Sequence, residues 1–280
     1  MGKRAIFSLL IVLALVAAAC GSDDETTDAS ADGSCDPLPT VTDGVLTVAT
    51  GEVVFPPWME EDDPTNEQGF ESALVYALAD ELGVDTVEWV RTGFDVAIAP
   101  GEKDYDFNIQ QYSITDERDE VVDFSTGYYQ VEQAIIGPAD SPAASAGSID
   151  DLKGLRLGAA IGTTSLNYIE DVIEPDDDAA VYDDNVDAKA AFDAGQIDGL
   201  VLDLPTAYFI TAVEITDASI IGVLPRQGDS PEELGMLFTE GSGLVACVND
   251  ALAALVDAGT IDALEDEWLN QGGSIPSLTN

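Results

Sequence analysis

The sequence predicts an α/β protein built as two lobes, and three observations carry that expectation. Short, almost wholly apolar runs alternate with helical stretches, the pattern of strands covered by helices on both faces. The series occurs twice, before and after a Pro-, Ala- and Ser-rich seam at residues 138–148. The chain is 280 residues long and 46% hydrophobic, enough apolar side chain for one or two compact cores.

The elements follow in order. Residues 45–50 form a β-rich run that ends in a turn. Phe70, Ala73, Leu74, Ala77, Leu78 and Leu82 recur at helical spacing, and Gly83 closes that helix. Residues 86–90 and 105–109 read as strands. Beyond the seam, 155–161 is a strand and 163–173 a helix; 186–194 is a helix stopped by Gly195, and 197–202 an apolar strand. Residues 234–238 are a further strand, followed by helices over 244–258 and 261–269. Strands this apolar predict largely parallel sheets, whose ligands gather at the loops after the strands' carboxyl ends.

Charge removes several functions. With 55 acidic side chains, 9 Lys or Arg and a net charge of −46, nucleic acid is excluded as a partner, because binding it requires cations on phosphates. The absence of histidine excludes Ser-His-Asp and Cys-His nucleophiles, His-ligated zinc and imidazole acid–base chemistry. The acidic runs at 60–63 and 176–178 read as solvated loops, since neither has the spacing of a calcium loop. No metal site and no cofactor are expected.

The N-terminus reads as an address. Lys3 and Arg4 precede an apolar run over residues 5–16, then three alanines and Cys20. That run is short for a permanent membrane span. A cysteine after small residues resembles a bacterial lipobox, with Ala17 where leucine is more usual. The expectation is a lipoprotein signal at 1–19, lipidation of Cys20 and a flexible tether over 20–42; plain secretion or an uncleaved anchor are the alternatives. Two cysteines remain, Cys35 and Cys247, and in an oxidising compartment they read as one disulfide, with two free thiols as the alternative.

The seven cations after residue 20 can be judged singly. Lys103, Lys153 and Lys189 lie in polar contexts, and Arg156 reads as a strand-edge or snorkelling residue. Arg118 differs, because it follows a strand through a loop rich in amides and hydroxyls, Gln111, Tyr112 and Ser113 among them. Its guanidinium suits a carboxylate ligand, and an ion pair with Asp116, Glu117 or Asp119 is an equal alternative. Thr163 and Thr164 follow Gly162 at a helix start, where N–H groups favour an anion; a plain N-cap is the other reading. Asp203, just past a strand, suits an ammonium or caps the next helix. Glu52, Phe55 and Trp58 occupy a Pro-stiffened loop that either covers a ligand or packs in the core.

Taken together, these blocks resemble the family 3 extracellular solute-binding proteins, the amino-acid receptors of ABC importers. Gly69-Phe70-Glu71 and the helix to Gly83 are similar to that family's signature helix, with Ser72 and Ala73 in place of its usual acidic and apolar residues. Ser113-Ile114-Thr115, Arg118, Val122-Asp123-Phe124-Ser125 and Tyr128-Tyr129 resemble its most specific block, here preceded by Gln110-Gln111 where small residues are common. Gly162-Thr163-Thr164, Gly195-Gln196-Ile197-Asp198 with Asp203, and Gly259-Thr260 with Trp268 follow in the family's order. The resemblance implies a two-lobed type II periplasmic-binding-protein fold with two crossover strands, lobe 1 being 43–134 with 229–280 and lobe 2 135–228.

It also implies a division of labour. Arg118 and the Thr163–Thr164 helix start share an α-carboxylate, Asp203 with Ser113 takes the α-ammonium, and Phe55, Trp58 and Tyr112 surround the side chain. Glu52 favours a polar or basic amino acid. The partners implied are that amino acid, a membrane permease and the membrane through a lipid anchor alone, for a monomer on the outer face of the cell membrane. The rival readings are an enzyme resembling the periplasmic cyclohexadienyl dehydratases, with Glu52 as acid or base, and a ligand-sensing module.

Overall fold

The structure is a computed structural model that describes residues 35–270 and 275–280; the expected signal segment, Cys20 and the expected tether up to residue 34 lie outside them. In chain order the strands are β1 (Leu46–Gly51), β2 (Val87–Thr92), β3 (Phe107–Asn108), β4 (Val122–Phe124), β5 (Tyr129–Val131) and β6 (Gln133–Pro138). They continue as β7 (Leu157–Ala160), β8 (Ala180–Tyr182), β9 (Gly199–Asp203), β10 (Ala218–Val223), β11 (Glu232–Leu234) and β12 (Leu237–Thr239). The α-helices are α1 (Phe70–Leu82), α2 (Phe94–Ile98), α3 (Asp116–Asp119), α4 (Thr164–Tyr168), α5 (Asn185–Asp193), α6 (Leu204–Phe209), α7 (Leu244–Asp257) and α8 (Thr260–Leu264).

Two five-stranded sheets define two lobes, ordered β2-β1-β3-β12-β4 and β10-β6-β9-β7-β8. In the first, β1 is parallel to β2 and β3; in the second, β7 is parallel to β8 and β9. β4, β6, β10 and β12 pair antiparallel within these sheets. In each sheet four strands thus run one way and one, β12 or β6, runs against them, so the sheets are mixed although most strands share a direction. The reason is topological: the strands with antiparallel pairings flank the two places where the chain passes between lobes. Those crossings are β5 and β11, which pair antiparallel with Val131 opposite Glu232. The expected strand at 234–238 is thus two strands, parted at Gly235, where a side chain would collide with Ile114 at 2.8 Å.

The seam at 138–148 is not a lobe boundary. It forms short turns against the second sheet, where Ala143 is buried with Ile135 and Leu152. The chain's end also departs from the lobe ranges given above: Leu278 donates to the Val223 carbonyl at 2.9 Å and packs with the second lobe's Leu157 and Val201. Likewise residues 35–42 are packed rather than tether-like. Leu38 lies on the first core, the Val41 N–H reaches Asp106 Oδ1 at 2.6 Å, and Cys35 is bonded to Cys247 of α7 with 5.7 Å between their Cα atoms.

The first lobe's core is aromatic, with Trp58, Phe70, Phe107 and Phe238 fully enclosed between β1, α1 and α7. Gly69 admits α1 to that core. Its φ of 92° lies in the left-handed region, and a Cβ there would sit 2.5 Å from the Met59 Cα and the Trp58 carbonyl oxygen. The second lobe's sheet is aliphatic on both faces, Ile135, Leu157 and Val201 on one and Ile136, Leu200 and Leu202 on the other.

Candidate functional site

A cleft of about 280 Å³ opens between the lobes, beside the strand ends that lead into their loops. Of the residues expected to meet a ligand, Glu52, Phe55, Trp58, Gln111, Ser113 and Arg118 line it from the first lobe, and Thr163, Thr164 and Asp203 from the second. Tyr112 does not. It is fully buried beneath Phe94, stacked on it at 4.4 Å, with its hydroxyl donating to the Phe94 carbonyl at 3.0 Å. The ring exposed to the cleft is therefore Phe94. Gln110, Gln111 and Ser113 face the cleft, while the Tyr112 ring between them turns away beneath Phe94.

Arg118 sits on that aromatic stack, its guanidinium carbon 5.5 Å from the Phe94 centroid and 6.0 Å from that of Tyr112. It is 7% exposed. The alternative ion pairs are not formed: among the described residues, its side-chain hydrogen bonds go to the carbonyls of Ser113 at 2.6 Å and Gly162 at 2.8 Å. The second bond spans the lobes. A buried guanidinium without a carboxylate is left able to accept an anionic guest.

The opposite wall is α4. The Thr163 hydroxyl accepts from the Leu166 N–H at 3.1 Å and donates to the Ala160 carbonyl at 2.7 Å, so the side chain serves as N-cap. What this helix start offers an anion is its backbone N–H groups, which lack intrahelical acceptors. Asp203 ends β9; its side chain does not cap α6 and instead accepts from Gln133 Nε2 at 2.6 Å. Burial, followed by the neighbouring Glu232 carboxylate, raises its pKa from the usual 3.8 to about 7, against the opposing pull of the Gln133 hydrogen bond.

Four polar residues of the site were not singled out from the sequence: Glu71, Gln133, Glu232 and Thr206. Glu71 is fully buried, pushed up to about 7 by burial, and accepts from Tyr128 at 2.5 Å, the Gln111 N–H at 2.9 Å and the Gln111 amide. It holds Gln111 at a φ of 53°, setting the cleft floor. Glu232 comes from the second crossing, whose short strand gives no clear periodic signal, and Gln133 opens β6 just after the first. Thr206 accepts from Trp58 Nε1 across the cleft at 2.8 Å. Five of the remaining cations, Arg91, Lys103, Lys153, Arg156 and Lys189, are engaged in local structural contacts away from the cleft. Arg156 is not snorkelling but pairs with Asp198 at 2.7 Å, and Arg91 pairs with Asp62 at 3.1 Å, so the 60–63 run is a partner rather than a merely solvated loop.

With this geometry in place, the comparisons are specific. The chain belongs to the bacterial extracellular solute-binding proteins, family 3, whose model matches residues 46–271. It is 29% identical over 220 residues to the L-cystine-binding protein TcyJ of Escherichia coli (strain K12), covering 78% of this chain and 80% of that one. It is 30% identical over 225 residues to ABC transporter arginine-binding protein 1 of the same organism, covering 78% and 88%. Among solved structures, an ancestral arginine-binding protein bound to glutamine superposes with a TM-score of 0.69 at 29% identity, over 81% of this chain and 98% of that one. The ancestral amino acid-binding protein AncCDT-1, a precursor of cyclohexadienyl dehydratase, gives 0.69 at 28%, over 81% and 96%. The fold is that of the type II periplasmic binding proteins.

Proposed function

We propose that this protein is an extracytoplasmic receptor that closes over one amino acid, polar or basic in its side chain, and presents it to the permease of an ABC importer. The observation that carries this reading is the pairing of unlike charges across one cleft: a buried Arg118 that has no carboxylate partner among the described residues, and Asp203 from the other lobe. An α-amino acid is a zwitterion, and burying it is costly unless each charge is met. Arg118 and the backbone N–H groups at Thr163 and Thr164 receive the carboxylate. Asp203 receives the ammonium, Phe55, Phe94 and Trp58 flank the side chain, and the exposed Glu52 faces its polar end.

Bonds already reaching across the cleft describe how closure works. A ligand bridging the lobes adds to Arg118–Gly162 and Trp58–Thr206, and the closed shape is what a permease recognises. We read Cys20 as the lipid anchor that keeps this monomer on the outer face of the membrane. The test is calorimetry of the purified protein against the twenty amino acids, with prephenate and arogenate added. One or a few amino acids should bind without turnover, and at about 100 times its dissociation constant such a ligand should add roughly 2.7 kcal/mol of stability. Consumption of prephenate or arogenate would instead favour the dehydratase-like reading.

A further inference from the structure

We propose that Glu232 is a second acidic contact for the ligand's ammonium, acting beside Asp203; this rests on the amino-acid reading above. Glu232 lies on β11, the second crossing, so it belongs to neither wall of the cleft; it stands directly behind the cleft-lining Ser113 and Thr164, where it faces a neighbouring pocket together with Gln133. Its Oε1 accepts from the Ser113 hydroxyl of the first lobe at 2.6 Å and from the Thr164 hydroxyl of the second at 2.7 Å. The Gln133 Nε2 stands 3.4 Å from each Glu232 oxygen and 2.6 Å from Asp203 Oδ1. Ser165 donates to the other end of that amide at 2.5 Å, which fixes its NH2 toward the carboxylates.

Two carboxylates thus converge on one neutral amide, which donates hydrogen bonds but cancels no charge. Arg118 is the nearby cation, and two of its N–H groups are committed to carbonyls. An ammonium entering here supplies the missing positive charge and three donors. The hydroxyls add direction. Because Ser113 and Thr164 spend their protons on Glu232, their remaining lone pairs are acceptors, suited to an ammonium and unsuited to a carboxylate. Glu232 therefore sorts the two ends of a zwitterion: it turns the hydroxyls toward the amine and leaves the acid to Arg118 and the backbone of α4.

The test is calorimetry on the full extracytoplasmic chain, wild type and Glu232→Gln, with two ligand pairs: L-arginine against 5-guanidinopentanoate, and L-glutamine against glutaramate. In whichever pair the wild type binds, the substitution should weaken the amino acid at least tenfold and its deaminated analogue less than threefold. Equal losses would make Glu232 a support for Ser113 and Thr164 only, and an unchanged affinity would remove it from the site; either overturns the assignment while the amino-acid reading stands. A wild type that binds no amino acid in the panel of twenty overturns both. If Glu232→Gln does not fold, Glu232→Asp takes its place, with the preference for the amino acid over its analogue retained; loss of that preference overturns the assignment.

Discussion

The two lobes share one sheet plan, four strands running one way and a single strand, β12 or β6, running against them, yet they bring different chemistry to the cleft. The first lobe is aromatic within and stapled by Cys35–Cys247, and it supplies Arg118 on a Phe94–Tyr112 stack together with the walls for a side chain. The second lobe is aliphatic and supplies a helix start and Asp203, whose pKa of about 7 reflects burial beside another carboxylate. The cation of the site is thus held by stacking and one carbonyl in the stapled, rigid jaw, with a second carbonyl reaching from the other lobe. The anion sits in the other jaw with its charge incompletely compensated. Closure brings unlike halves together, and a dipolar guest completes them.

Breaking the staple tests the rigid jaw first. The bridge links residues 212 apart, and releasing so long a loop should cost roughly 5 kcal/mol of stability in the loop-closure picture. Reduction, or Cys35→Ser with Cys247→Ser, should lower the first lobe's unfolding temperature while hydrogen exchange in the second lobe's central strands changes far less. Uniform loss of protection across both sheets would contradict the division into separate cores.

Next comes Arg118→Ala, expected to weaken amino-acid binding by roughly 2–5 kcal/mol by calorimetry, because the ligand's carboxylate would then be buried without its cation. An unchanged affinity would move the carboxylate site elsewhere. The opposing jaw predicts a pH effect. Asp203 is raised in the folded protein, so the fold holds a proton that the unfolded chain has released. The stability this proton provides is present at low pH and declines as pH rises from about 4 to about 7; Glu71, raised to about 7, acts in the same direction. Ammonium binding needs ionised Asp203, so affinity should run the other way, rising with pH up to about 7 by at most about tenfold per unit and then levelling. Asp203→Asn should weaken binding and flatten that rise, and a slope surviving in the variant would assign it to another group.

What the sequence disclosed follows from where periodic signals are strong. The helix at 70–82 was legible because its apolar spacing is long and ends in glycines. The cleft residues were legible because Ser113, Arg118, Thr163 and Asp203 follow apolar strands. The crossings were not, because β5 and β11 are three residues each, too short for a pattern, and Glu232 on β11, like Gln133 at the start of β6, looks like an ordinary polar residue in an acidic chain. Tyr112 was misplaced for a related reason: a fully buried tyrosine with a satisfied hydroxyl and one facing a ligand carry the same letter. Glu71 stood in plain view within the signature helix. Nothing in the linear sequence, however, revealed that its carboxylate turns inward to hold Gln111.

The smallest expected effect lies where the jaws touch. Trp58 belongs to the aromatic core of the first lobe, edge-on to Phe70 and Tyr129, yet its indole N–H reaches the buried Thr206 hydroxyl of the second at 2.8 Å. It is thus both core and latch. Trp58→Phe keeps most of the packing and removes the donor, leaving Thr206 to find another partner in the closed state alone. The cost should be roughly 1–2 kcal/mol, and it should appear in ligand affinity and in the closed fraction rather than in the stability of the isolated first-lobe core. Small-angle scattering of the ligand-saturated variant should then resemble the wild type, while half-saturation moves to higher ligand concentration. Thr206→Val should produce a similar shift, and the two changes together should cost less than their sum, because they break the same bond. Full additivity would mean that the contact carries no coupling between the lobes.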